Sequence, residues 1–281
     1  MPHSKGWSWQ TLLMLMLLLV LSVFALFPLY ALFLASLKPS QELLRYGLNV
    51  RFDADVMTFK NYISIFSGSA KNYYFWYKNS IVITLVFTVL CLILSSMVGY
   101  GLAVYRFKGR SFIFLLVLVV MMVPVEIILL PLYKLMINLK QMDTMWGVIL
   151  PFIVAPLPVF FFRQYAEGLP KELMDAGRID GCTEYGIFVR IMAPLMMPAF
   201  GAMAILQAMG AWNNFLWPLI ILKTNTKLTL PIGLSSLLTP YGNNYDVLIA
   251  GSVLAILPIL ILFVFFQRYF VSGLTVGGVK G

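Results

Sequence analysis

Between two long apolar stretches lies Leu169-Pro170-Lys171-Glu172-Leu173-Met174-Asp175-Ala176-Gly177-Arg178-Ile179-Asp180-Gly181, a charged island closed by Pro194 and Pro198. Five of the chain's eleven acidic residues, Glu167, Glu172, Asp175, Asp180 and Glu184, sit in it or at its edge, so it belongs in water. Its residue types suit recognition rather than catalysis. Ala176 and Gly177 let another backbone approach closely, while Asp175, Arg178 and Asp180 offer charges that fix orientation. Pro170 suits a first helical position and Gly181 a left-handed cap, and Cys182-Thr183-Glu184 opens a second helix expected to reach Arg190 and stop before Pro194. The segment therefore reads as helix, turn, helix. A small-residue helix in water implies another protein's surface. The alternative, a helix lying on a bilayer, lacks the broad apolar face that needs. The only histidine is His3, and neither a zinc-binding helix pattern nor Gly-x-Ser-x-Gly occurs, so histidine-dependent chemistry lacks its residue.

The elements that must carry this island are membrane helices. With 61% hydrophobic residues, 11% charged residues and a mean hydropathy of +0.90, the chain is far more apolar than a soluble domain, which is ~45–50% apolar. Helices of about 20 residues cross a hydrocarbon core of ~30 Å, and backbone in lipid must satisfy its own hydrogen bonds. Six stretches meet that test, near 11–36, 80–104, 111–133, 147–165, 197–222 and 247–268. The fold expected is all-α, with six transmembrane helices in one membrane domain over 1–281. The first run carries Pro28 and is followed by Lys38-Pro39 rather than a small-residue cleavage site, so it reads as a retained helix. Prolines 124, 131, 151, 156, 158 and 258 mark places where these helices can bend.

Orientation rests on the short loop Tyr105–Arg110, where Arg106, Lys108 and Arg110 fall within five residues and mark the cytoplasmic side. That puts the island and both termini in the cytoplasm. It places outside the loop 37–79, whose aromatic cluster Tyr73–Tyr77 resembles an interfacial belt ahead of the second span. Ten of the twenty basic residues lie in loops assigned outside, so density in one short loop decides. The formal charge of +9 is scattered and builds no nucleic-acid face; anionic phospholipid accounts for it.

The island resembles the cytoplasmic coupling motif of permease subunits of ATP-binding-cassette importers. That motif runs Glu-Ala-Ala, two residues, Asp-Gly, then a spaced Phe, Ile and Pro. Here it stands as Asp175-Ala176-Gly177-Arg178-Ile179-Asp180-Gly181 followed by Phe188, Ile191, Pro194 and Pro198, with Asp for Glu and Gly for the second Ala. Trp212-Asn213-Asn214-Phe215-Leu216-Trp217-Pro218, Leu230-Pro231-Ile232-Gly233-Leu234 and the tail Gly273–Gly281 are similar to the carbohydrate branch, the maltose-type second permease. The stretch Leu238–Asp246 looks most like arabinose and arabino-oligosaccharide permeases of Gram-positive bacteria.

The resemblance implies a bacterial plasma-membrane complex of two permease subunits, usually two different chains in the carbohydrate branch, with two ATPase subunits and an extracellular sugar-binding lipoprotein. It implies no cofactor in this chain: ATP and Mg would be bound by the partner ATPases, and the sequence carries no Gly-rich phosphate loop ending in Gly-Lys-Ser/Thr. The coupling loop would span 169–194, with Asp175, Ala176, Gly177, Arg178, Asp180 and Gly181 at the ATPase, joined by Gly277, Gly278 and Lys280 of the tail. Along the translocation pathway, Trp212, Asn213, Asn214 and Trp217 combine ring faces with amides, as a sugar's CH face and hydroxyls require, and Gln207 shares their side of the helix. They serve either sugar or helix-to-helix hydrogen bonding. Glu126, the one acid deep in an apolar span, must face a cavity or a partner, where it binds hydroxyls or fixes a helix pair. A proton-carrying Glu126 in an ion-coupled transporter is the alternative to ATP-driven alternating access.

Overall fold

The computed structural model describes residues 8–47, 50–67, 71–239 and 242–275. In chain order the elements are α1 (Trp9–Ser36), α2 (Ser40–Tyr46), α3 (Lys60–Phe66), α4 (Lys71–Val104), α5 (Arg110–Met121), α6 (Val125–Asn138), α7 (Met145–Ile149), α8 (Pro156–Glu167), α9 (Glu172–Ile179), α10 (Glu184–Ile187), α11 (Ala193–Leu195), α12 (Met197–Trp212), α13 (Leu216–Ile221) and α14 (Leu230–Ser235). A two-residue antiparallel ladder of β1 (Leu238–Thr239) and β2 (Gly242–Asn243) precedes α15 (Tyr245–Thr275). The architecture is helical, as expected, with that ladder as its only strand pairing among the described residues.

Three helices are long and apolar enough to cross a bilayer: α1, residues Asn72–Val104 of α4, and residues Tyr245–Gln267 of α15. The number rises to six when each of three bent pairs counts as one span. The sequence reading needs correction at these pairs. The stretch read as one span over 111–133 is α5 and α6 meeting at 104° across Met122–Pro124. Met122 N–H turns back to Val119 O, and Pro124 takes an extended conformation (ψ 134°), so the helix must end and restart. Residues Met145–Phe152 and α8 meet at 44°, where Pro156 begins the second segment. The third pair is Glu184–Leu195 and α12, meeting at 77°, so the span expected over 197–222 instead begins in that pair and ends at Trp212, where Asn213–Phe215 leave the helix before α13. The aromatic cluster Tyr73–Tyr77 belongs to the first turns of α4 rather than to a preceding loop. At 34 residues α4 is about 51 Å long, well beyond a ~30 Å core.

Two compact units make up the chain, Met1–Lys71 with Ser236–Ile256, and Asn72–Ser235 with Leu257–Gly281. In the first, the end of α1 is closed by Asn61, whose Nδ2 donates to Ser36 O and Lys38 O at 2.8 and 2.9 Å. Such bonds satisfy carbonyls that a helix leaves unpaired at its C-terminus. Asp246 Oδ1 accepts from Ser40 N–H at 2.7 Å at the start of α2. In the second unit, Tyr100 of α4, Phe162 of α8, Met174 of α9, Ile187 of α10 and Met203 of α12 share one buried cluster. Each large side chain buried there contributes about 1.5–3 kcal/mol. This cluster fixes the charged island to the ends of the apolar helices.

Candidate functional site

The island folds as a knuckle. Its first helix, α9, ends in a paired cap: Gly181, at φ +77°, donates to Arg178 O, and Cys182 N–H donates to Gly177 O at 2.9 Å. Only a residue without Cβ takes that left-handed backbone cheaply, which is why Gly181 stands there. Thr183 opens α10 by accepting from Gly186 N–H at 3.1 Å. The second helix does not stop before Pro194. It continues as a π turn over Phe188–Met192, in which Ala193 N–H reaches back to Phe188 O, and then as α11 through Leu195.

Within the knuckle, charges expected to face a partner are partly engaged internally. Arg178 Nε donates to Glu184 Oε1 at 2.8 Å and Nη1 to Asp175 Oδ1 at 2.9 Å, and Tyr105 O–H donates to Glu184 Oε2 at 2.8 Å. Arg178 holds the Glu184 carboxyl below the usual carboxylate range, helped by the Tyr105 hydroxyl. Burial raises the Tyr105 phenol above its ordinary value, and its bond to Glu184 adds to the rise. Glu184 and Tyr105 were missed as site residues; the Arg178-to-Glu184 spacing across a Gly turn was the available signal.

Ala176 and Gly177 part company. Ala176 is exposed, but Gly177 is buried against α10 and the π turn, where a Cβ would meet Ile191 Cδ1 at 2.7 Å and Ile187 Cγ1 at 3.2 Å. The small residue at 177 thus serves packing inside the knuckle, contrary to the expectation that it admits a partner's backbone. Ile179 at 86% exposure, Tyr185 at 77%, Asp180 and Gly181 form the outward surface.

Four of the six pathway residues come together. Glu126, Gln207, Asn214 and Trp217 line one cavity of about 250 Å³, with Phe87 and Phe152 among its walls. Trp217 is fully buried, donates Nε1 to Gly147 O at 3.1 Å and meets Phe152 edge-on. Glu126 is not deep within a straight span: it occupies the first turn of α6, just past the 104° break, and is exposed. A carboxylate is favoured there by the positive end of the helix. The other two residues do not join the cavity. Trp212 packs edge-on against Tyr77 and lines a separate pocket with Thr84 and Pro258. Asn213 is exposed and donates Nδ2 to Met209 O at 3.0 Å, a bond within its own helix end. Gly277, Gly278 and Lys280 lie outside the described residues, as do Pro240 and Tyr241.

Residues 92–276 match the family described as the inner membrane component of binding-protein-dependent transport systems. The chain is 65% identical over 250 residues, 89% of each chain, to the arabinooligosaccharides transport system permease protein AraQ of Bacillus subtilis (strain 168). It is 38% identical to the lactose transport system permease protein LacG of Rhizobium radiobacter, over 79% of this chain and 80% of that one. Its fold is similar to a chain in the crystal structure of a bacterial ABC transporter that imports the acidic polysaccharide alginate, with a TM-score of 0.78 at 21% identity, covering 96% of this chain and 99% of that one. The family match over residues 92–276 and the 65% identity over 89% of both chains show that the chain belongs to the inner membrane components of binding-protein-dependent transport systems, among the permeases of carbohydrate ABC importers.

Proposed function

We propose that this chain is one of two permease subunits in an ATP-driven importer of arabino-oligosaccharides. The observation that carries the reading is the 65% identity over 89% of both chains to a permease of that named cargo. A sugar-binding lipoprotein outside delivers the sugar, and two ATPases inside bind ATP and Mg. Closure of the ATPase pair moves the knuckle over 169–194, and the broken helices reorient to pass the sugar inward. Ala176, Ile179, Asp180 and Gly181 contact the ATPase, Arg178 and Asp175 hold the knuckle's shape, and the tail residues Gly277, Gly278 and Lys280 add a second contact. The cavity bounded by Glu126, Gln207, Asn214 and Trp217 lies on the sugar's route. Its ring faces beside amide and carboxylate groups supply what a carbohydrate binds. Both termini face the cytoplasm and 1–281 acts as one membrane domain.

The test is to purify the chain with its co-expressed neighbours, reconstitute the complex, and measure ATP turnover with arabinose, arabino-oligosaccharides and maltodextrins. Stimulation by arabino-oligosaccharides above the others is expected. Uptake that persists without ATP and collapses with the proton gradient would instead support ion coupling through Glu126.

A further inference from the structure

Arg106, Arg110 and Lys171 surround a recess of about 280 Å³, walled by Val104, Leu169 and Met174, where the ends of α4 and α8 meet the beginnings of α5 and α9. The only acid lining it is Glu167, and that carboxylate is already engaged. Its Oε1 accepts from Arg110 Nη2 at 3.1 Å and from Arg163 Nη2 at 2.6 Å. Among the described residues Arg106 and Lys171 make no ion pair. Three cations, Arg106, Arg110 and Lys171, therefore line a concave, partly apolar site whose one carboxylate is shared with Arg163 from outside it. Like charges gathered in that way repel one another, and an anion seated between them relieves the repulsion.

The shape of the charge says which anion. Arginine presents a planar fork of donors that matches phosphate oxygens, and lysine adds a point charge. Close in sequence to Arg106 and Arg110, Phe107, Phe112 and Ile113 stand exposed at 46%, 63% and 42% around the start of α5, apolar surface suited to an acyl chain. Basic pockets between membrane helices at their cytoplasmic ends have the chemistry that holds lipid headgroups.

We infer that this recess binds the phosphate of an anionic phospholipid of the phosphatidylglycerol class, and that the bound headgroup ties the Tyr105–Arg110 loop to the start of the knuckle. Lys171 directly precedes α9, so the lipid steadies the element that the rest of the permease must move. This inference does not depend on which sugar is carried.

The complete complex, purified with its partner subunits, is equilibrated in nanodiscs of phosphatidylcholine with a minor share of phosphatidylglycerol, and retained lipid is identified by native mass spectrometry. The intact protein retains phosphatidylglycerol beyond its share of the bilayer. Arg106→Gln and Lys171→Gln each weaken retention roughly fivefold, the loss that about 1 kcal/mol per surface cation represents. Lys108→Gln, in the same loop but off the recess, leaves retention unchanged. Displacement of the lipid by millimolar inorganic phosphate would assign the recess to free phosphate and overturn the lipid assignment. Equal retention by wild type and the Arg106→Gln, Lys171→Gln double variant would overturn the site itself, as would equal loss in Lys108→Gln.

Discussion

Gly177 and Ile191 lie so close that a methyl group on the glycine would come within 2.7 Å of the isoleucine Cδ1. The contact separates two roles that sequence alone merges. In Gly177→Trp the indole has no room between α9 and the second helix, and overpacking of this kind costs about 1–3 kcal/mol. Thermal stability and ATP-coupled uptake should fall together. Ala176→Trp puts the same bulk on the exposed side, so stability should hold while uptake is lost. A melting curve beside a transport assay on both variants checks the pair, and a Gly177→Trp protein of native stability would contradict the packing account.

The Arg178–Glu184 bridge gives the knuckle a defined response to acid. The Glu184 carboxyl is held low chiefly by Arg178 and then by Tyr105, so its stabilising effect is fully present above the ordinary glutamate range near pH ~4.3. It disappears as pH drops through the lowered folded value. Acidification from neutrality to about pH 5 should therefore leave the knuckle unchanged. Glu184→Gln removes the carboxylate at every pH, so its knuckle should be cut faster by protease at pH 7 and at the same rate as wild type in strong acid. A gap between the two proteins that widens on acidification would contradict this sign.

Gly210 lines the cavity, and nothing stands within 4 Å of the place where its Cβ would be. Gly210→Leu has open space for its Cβ, and it removes a helix-weakening residue worth up to about 1 kcal/mol. Stability should hold or rise. Sugar uptake by the reconstituted complex should fall roughly tenfold or more, the equivalent of about 1.4 kcal/mol in cargo binding. Unchanged uptake with the cavity filled would take the sugar route elsewhere.

Trp217 tests whether an aromatic ring near a sugar path is there for sugar. Its Nε1 is committed to the carbonyl of Gly147, so Trp217→Phe leaves a buried acceptor without a partner. Such a loss costs about 1–3 kcal/mol. Differential scanning calorimetry should show the destabilisation whether or not sugar is present, and sugar affinity should change less than stability.

Composition and hydropathy were enough to read a helical membrane protein, because apolar runs of that length have few other homes. The knuckle was legible too: Gly181, Thr183 and the acids announce a turn between two short helices. Direction was not. Hydropathy weighs residues without regard to where the chain points, so 111–133 scored as one span although its halves diverge by 104°. Pro124 was visible, but whether a proline kinks a helix or ends it depends on packing that a local window does not contain. The same limit hid contacts between distant segments. Asp143 gathers Lys223 N–H, Thr224 N–H, the Thr224 hydroxyl and Lys227 Nζ, and burial alone would raise its pKa but these donors drive it well below the carboxylate range. Nothing near Asp143 in sequence foretells partners eighty residues away. The division of Trp212 and Asn213 from Asn214 and Trp217 has the same origin, since the chain leaves α12 after Trp212 and changes course before α13.

The π turn over Phe188–Met192 holds one residue more than a regular coil would need, directly ahead of the 77° bend into α12. Each residue in an α-helix turns the chain by about 100°. Deleting a single position there would rewind the segment and rotate everything upstream by that angle, carrying Ile179 and Tyr185 off their present bearing. The surplus residue therefore works as an alignment key, setting which side of the knuckle is offered outward.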